Sequence, residues 1–262
     1  MSTHDQVVQM SRTIGEPALD AVILGEGNTS IRVDGDTFLV KGSGCQLASI
    51  TQEDFVHLRF DRILALLDRG AVSEAELVAA YESAKVDPAQ KRRPSVETLF
   101  HAICLSLPGV DAIAHTHPQA VNALTCSTAY PSALEGRMFP DEAVVLGPAS
   151  VFVPYLDPGL TLARAIHTGV MEYGQRYGAA PKVVYMQNHG VIALGKNTTE
   201  AINITMMAIK AARIRLGALT AGGIRTLPES VIEHLINRPD EKYRAKLIAT
   251  GAGGAGSTGG SR

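Results

Sequence analysis

Tryptophan is absent from this 262-residue chain, and aromatic residues make up only 5% of it. Ring stacking therefore falls to Phe and Tyr. Cysteine is scarce as well: Cys45, Cys104 and Cys126 form an odd set, and no two are spaced as CxxC. A disulfide framework is not expected on that ground, and a reducing cytoplasm fits better. Cys104 and Cys126 lie in apolar helical surroundings and read as core. Cys45 lies in a Gly-rich loop, where exposure is open to it. Charge of one sign is also lacking. The formal net charge is -2, so bulk charge gives no case for nucleic acid as a partner. The one basic cluster, Lys91-Arg92-Arg93, reads as a solvated face. Charged residues reach only 19%, which hints at buried subunit surfaces. No basic stretch leads into an apolar one at the N-terminus, so no signal peptide is expected. The longest apolar helical run, 201–219, carries Lys210, Arg213 and Arg215, which rules out an ordinary membrane span.

Apolar content is ample at 45%, and its patterning predicts mixed elements. A short helix is expected within residues 1–20. Asp34-Gly35-Asp36 between two alternating runs predicts a hairpin over 30–41. Thr51-Gln52-Glu53-Asp54 matches a capping box and predicts a helix to about Leu67. Residues 70–93 read as a short helix and a surface loop. A helix follows Pro94-Ser95-Val96-Glu97 to about Leu107, then a strand over 110–116, then a helix from Pro118 to about Cys126. Runs 143–146 and 151–153 read as strands. Helices are expected over 160–177 and 198–219; between them a strand over 182–187 precedes the run Val191-Ile192-Ala193-Leu194, with His189-Gly190 in the turn that joins them. The absence of regular βαβ units argues for one α/β domain over residues 1–250. It would be a three-layer α/β/α arrangement around a largely antiparallel sheet. The Gly/Ser-rich tail, 251–262, reads as disordered.

The chemistry concentrates in two places. The apolar run ending in Ala114-His115-Thr116-His117-Pro118 reads as a buried strand. Residues two apart on a strand share a face, so His115 and His117 stand side by side while Thr116 faces away. A second run, Val183 to Met186, leads into Gln187-Asn188-His189-Gly190. Two neighbouring strands would bring His115, His117 and His189 to one rim. A lone strand histidine is more often structural, but two such strand ends together are much rarer. Three neutral imidazoles suit a divalent metal that keeps one position open. Glu97 is expected in the first turn of its helix, where the dipole stabilises a carboxylate. It either serves the helix start or acts as a general base beside the metal. His101 lies four residues on, on the same face, and either orients Glu97 or packs.

These residues together resemble the class II aldolase/adducin family, which contains fuculose-phosphate and rhamnulose-phosphate aldolases. The matching pieces, in the family's order, are Gly27-Asn28-Thr29-Ser30, Lys41-Gly42-Ser43-Gly44, Pro94-Ser95-Val96-Glu97, His115-Thr116-His117-Pro118 and Asn188-His189-Gly190. The resemblance implies His115, His117 and His189 as ligands of zinc, with Mn2+, Co2+ or Mg2+ as alternatives, and Glu97 as the acid/base residue. It implies Asn28, Ser43, Gly44 and Ser95 as the phosphate site. Fuculose-type relatives often carry a second serine where this chain has Val96, so one donor is missing. They also use a tyrosine from a neighbouring subunit as proton donor. Tyr130 and Tyr155 are candidates for that role. The implied function is metal-dependent aldolase cleavage of a ketose 1-phosphate, or similar ketol, to dihydroxyacetone phosphate and an aldehyde through an enediolate. A 4-epimerase or keto-acid decarboxylase of the same fold is the alternative, and a non-catalytic adducin-like scaffold the last. A homotetramer with a small-molecule substrate is expected, without membrane or nucleic acid.

Overall fold

Ser2 opens the first helix, α1 (Thr3–Ile14). Its hydroxyl accepts from the Asp5 amide while the Asp5 carboxylate accepts from the Ser2 amide. Val7, Met10, Ser11 and Ile14 then recur at helical spacing and bury one stripe. The structure is a computed structural model that describes residues 1–240. The expected tail over 251–262, and the 241–250 end of the expected domain, lie outside the described residues.

Strands β1 (Asn28–Arg32) and β2 (Thr37–Lys41) form the expected hairpin. Asp34 Oδ1 fixes its turn by accepting from the amides of Asp36 and Thr37 and from the Thr37 hydroxyl. The Thr51–Asp54 box is present, but it closes only a single 3₁₀ turn, Gln52–Asp54. The expected helix to Leu67 is instead strand β3 (Phe55–Arg59), followed by the short helix α2 (Phe60–Leu64). Phe55, Val56 and Leu58 pair with β2 and bury both faces of β3. That non-local pairing outweighs a local cap.

Helix α3 (Glu74–Ser83) carries its own box from Ser73 and Glu76. Helix α4 (Thr98–Leu105) is buried along its whole length. Strand β4 (Ala112–Thr116) and helix α5 (Gln119–Thr125) follow. Residues 143–146, expected as a strand, finish helix α6 (Pro140–Leu146). Pro140 presets its first turn, Asp141 and Glu142 favour its positive end, and Gly147 at φ 74° stops it. The remaining elements are β5 (Val151–Val153), α7 (Leu160–Tyr177), β6 (Val183–Met186), β7 (Gly190–Gly195), α8 (Thr198–Thr220) and α9 (Glu229–Asn237).

The sheet order is β3-β2-β1-β4-β7-β6-β5, and every neighbouring pair is antiparallel except β5 with β6. One face packs on α2, α3, α4 and α7, the other on α1, α5 and α8. This is the expected three-layer α/β/α fold. The cysteines correct the sequence reading. Cys104 is core, but Cys126 is exposed where α5 ends, and Cys45 is buried with its Sγ 3.4 Å from Asp54 Oδ1.

Candidate metal and acid–base site

Strand alternation sets the first two histidines. Ile113 and His115 face α4, whereas Ala112 and Ala114 face the opposite core. His115 is fully buried and lies in register with Asn28 of β1 and Ile192 of β7. His117 continues the alternation just past β4, and its Nε2 comes within 2.9 Å of His115 Nε2. The neighbour of β4 is β7, not the expected 182–187 strand. His189 therefore arrives from the tight hairpin between β6 and β7. Asn188 takes the left-handed conformation there, at φ 54°. Gly190 is required by space: a Cβ would sit 2.4 Å from the Thr116 carbonyl oxygen and 2.8 Å from His117 Cδ2. Asn122 of α5 holds the turn by donating to the His189 carbonyl at 3.1 Å.

The three rings lie 4.7–5.0 Å apart, and one ligand nitrogen from each falls within 4.8 Å of the others. His115 Nδ1 lies 3.0 Å from the Val191 carbonyl oxygen, which can only accept. That leaves His115 Nε2 as a bare lone pair in the neutral ring. Burial, with the neighbouring imidazoles, pushes His117 down to about 3, and burial lowers His115 too. Three imidazoles whose ring nitrogens converge in this way fit a divalent cation. Glu26 was not singled out in the sequence. Its Oε2 lies 4.0 Å from His117 Nδ1, on the far side of that ring from His115 Nε2.

Glu97 is the N-cap residue of α4, one position before the expected first turn. Its side chain is 8% exposed, with Oε2 3.4 Å from His115 Nε2 and Oε1 3.2 Å from His189 Nε2. Burial pushes this carboxyl up. The flanking His115 and His189 and the Asn28 amide outweigh that, so it stays ionised, well below the usual carboxylate range.

Three segments meet beside Glu97. Ser43 donates its amide to the Arg93 carbonyl, and Ser95 donates to the Lys41 carbonyl, so the 41–44 loop runs along 93–95. Gly44, at φ 80°, lies against Gly25. The expected phosphate residues divide. Ser43 and Gly44 are exposed, whereas Asn28 and Ser95 are buried. Asn28 Nδ2 donates to Glu97 Oε2 at 2.7 Å and to Ser95 Oγ at 3.1 Å. Val96 is half exposed and shares with Ser43, Tyr81 and Arg93 a cleft of about 580 Å³. Lys41, read in the sequence only as part of a loop motif, is a buried cation here. Its Nζ donates to the Gly25 carbonyl at 3.0 Å, and burial lowers its pKa despite the attraction of Glu97.

The two candidate tyrosines stand apart from this group. Tyr130 donates into the β5–β6 backbone, to Val153 and Tyr185 carbonyls, and Tyr155 is exposed and donates to Asp157. No described helix is long and apolar enough to cross a membrane.

The family model described as Class II Aldolase and Adducin N-terminal domain matches residues 5–216. The chain is 31% identical over 196 residues to "Uncharacterized oxidoreductase YuxG" of Bacillus subtilis, covering 72% of this chain but 26% of that protein. This chain thus spans about a quarter of that relative's length. It is 25% identical over 240 residues to "3-oxo-tetronate 4-phosphate decarboxylase" of Haemophilus influenzae, covering 91% of this chain and 98% of the relative. Its fold matches a solved L-fuculose 1-phosphate aldolase with a TM-score of 0.67 and 21% identity, over 93% of this chain and 98% of that one. With a family model covering most of its length and the same architecture in solved relatives, the chain belongs to the class II aldolase and adducin N-terminal domain family.

Proposed function

We propose that this protein is a metal-dependent carbon–carbon lyase that cleaves a small ketose 1-phosphate, or a similar ketol, to dihydroxyacetone phosphate and an aldehyde. The supporting observation is a buried Glu97 carboxyl group within 3.4 Å of two members of a three-histidine cluster. His115, His117 and His189 would hold the cation, and three nitrogen donors favour Zn2+ over Mn2+, Co2+ or Mg2+. Such a cation supplies a Lewis acid for the oxygen charge that develops as the bond breaks. Glu97 moves the proton at the carbon left behind. Ser43, Gly44 and Ser95 hold the phosphate through amides and hydroxyls, with Lys41 adding charge beneath the loop; Asn28, expected among them, has both amide hydrogens on Glu97 and Ser95 and serves by orienting those two side chains.

The similarity to a phosphorylated keto-acid decarboxylase across nearly that relative's whole length supports a second reading. The same carboxylate and histidines serve loss of carbon dioxide, or epimerisation at the carbon next to the reacting one. A non-catalytic adducin-like scaffold is the least favoured reading. It has no use for a buried carboxyl group set against two imidazoles of a three-histidine cluster. The working form is proposed to be a cytoplasmic homotetramer without membrane or nucleic-acid partners. Exposed Ile23, Leu24, Met206 and Ile214 are surfaces that subunit contacts would cover.

Elemental analysis of purified protein is expected to find about one divalent cation per chain, lost in His189→Ala. A screen of ketose 1-phosphates scored for dihydroxyacetone phosphate, run beside phosphorylated keto acids scored for carbon dioxide, separates the two reactions. Absence of metal, together with no gain in activity or thermal stability on adding zinc or manganese, would overturn the metal assignment.

A further inference from the structure

Glu97 is held by a chain of side chains that continues well beyond the metal site. Its Oε2 accepts from Asn28 Nδ2 at 2.7 Å. Asn28 Oδ1 is in short contact with Nε2 of His101, and His101 Nδ1 lies 2.6 Å from Ser30 Oγ. Asn28 and Ser30 point the same way from β1, because they are two apart on the strand. His101 lies one helical turn after Glu97 on α4, fully buried, with its ring stacked 4.7 Å from Phe100.

The chemistry of these atoms leaves one arrangement of protons. Asn28 Oδ1 can only accept, so His101 Nε2 carries the hydrogen. The other nitrogen of the neutral ring is then a lone pair, and Ser30 donates its hydroxyl to it. Burial pushes His101 down to about 3, which is consistent with a neutral ring. Rotating the Asn28 amide by half a turn would set its oxygen against the Glu97 carboxylate, a repulsive contact, and would require the opposite tautomer of His101. The two Glu97 oxygens are consequently unlike. Oε2 is pinned by Asn28, whereas Oε1 is buried without a hydrogen-bond partner and faces His189.

We infer that His101 is a positioning residue: by fixing the Asn28 amide it reserves Glu97 Oε2 as the anchored oxygen and leaves Oε1 as the atom that exchanges the proton with substrate. This rests on the proposed acid–base role of Glu97. It goes further in naming the reacting atom and the residue that selects it.

The test combines spectroscopy with kinetics. Nitrogen-15 spectra of the wild-type protein, with and without added zinc, are expected to show His101 neutral with its hydrogen on Nε2. The opposite tautomer, or a charged ring, would overturn the relay. His101→Leu keeps bulk but removes the donor, and kcat is expected to fall about ten- to a hundredfold with metal content unchanged. His101→Gln can donate to Asn28 and accept from Ser30, so it is expected to recover most of that loss. In an Asn28→Ala background, His101→Leu is expected to add little, because both act through one path. Full additivity of the two losses would show that His101 acts elsewhere and would sink the proposal. Should His101→Leu fail to fold, the tautomer and the Gln variant still decide. If Glu97→Gln retains turnover, the acid–base reading and the relay fall together. If Glu97→Gln is inactive while His101→Leu turns over normally, only the relay falls.

Discussion

Two clusters of ionisable groups differ in what their side chains leave unused. One is the rim of His115, His117, His189 and Glu97. The other joins Arg137, Glu142 and Arg215, each 1% exposed, between α6, α8 and the 133–137 loop. In the second, the charges are spent. Arg215 donates to the carbonyls of Ala133, Glu135 and Gly136 and to Glu142 Oε1 at 2.9 Å. Arg137 donates to Gly136, Leu146 and Gly147 carbonyls and to Ser150, and Glu142 Oε2 accepts from the Met138 amide. In the first, capacity is left over. Three imidazole nitrogens lie within 4.8 Å of one another, and Glu97 Oε1 has no hydrogen-bond partner. Burial of charge alone does not mark chemistry. Unused coordination capacity, aimed at a common point, does.

The largest effect is expected at Glu97. Glu97→Gln is expected to keep the metal but lower turnover by about two to four orders of magnitude, since an amide cannot accept the proton. Steady-state kinetics with parallel metal analysis checks this, and near-normal turnover would remove Glu97 from the mechanism. The second cluster should respond in the opposite currency. Arg215→Met strands the Glu142 carboxylate, and a loss of about 3–5 kcal/mol in urea unfolding is expected, with the folded fraction still active. A fully stable variant would show that the cluster contributes no net stability.

The anion segments lie between these extremes. Val96→Ser adds a hydroxyl to the cleft that Ser43 lines. An improvement in KM of up to about tenfold is expected for a phosphorylated ketose, with little change for the unphosphorylated one. Equal change for both substrates would dissociate this cleft from phosphate. The smallest effect is expected far from both clusters. Ser73→Ala removes the cap of α3 and should cost about 1 kcal/mol by thermal or chemical unfolding, leaving kinetics unaltered.

Much of the rim was legible because its geometry is local. Alternation on β4 pairs His115 with His117, and a Gly-closed hairpin presents His189. The hairpin at 34–36 and the long helices α7 and α8 follow from turn residues and periodicity in the same way. The errors share a cause. The box at Thr51–Asp54 is a real local signal, but pairing with β2 overrode it and made β3. The apolar run 143–146 suits a strand or a helix equally, and Pro140 with its acidic first turn chose the helix. Cys45 looked exposed because its loop is Gly-rich, yet the fold turns it onto Asp54.

The family resemblance, the layered α/β class, the three histidines and Glu97 can all be read from the chain alone. Each depends on residue type and short spacing, which the chain carries wherever it goes. Packing in three dimensions is what bonds Asn28 to Glu97, brings His101, 73 residues away in sequence, onto the Asn28 amide, and buries Lys41 beneath the loop. Those contacts arise where β1, β2, β4 and α4 pack together. Their partners are distant along the chain, so no local pattern encodes them.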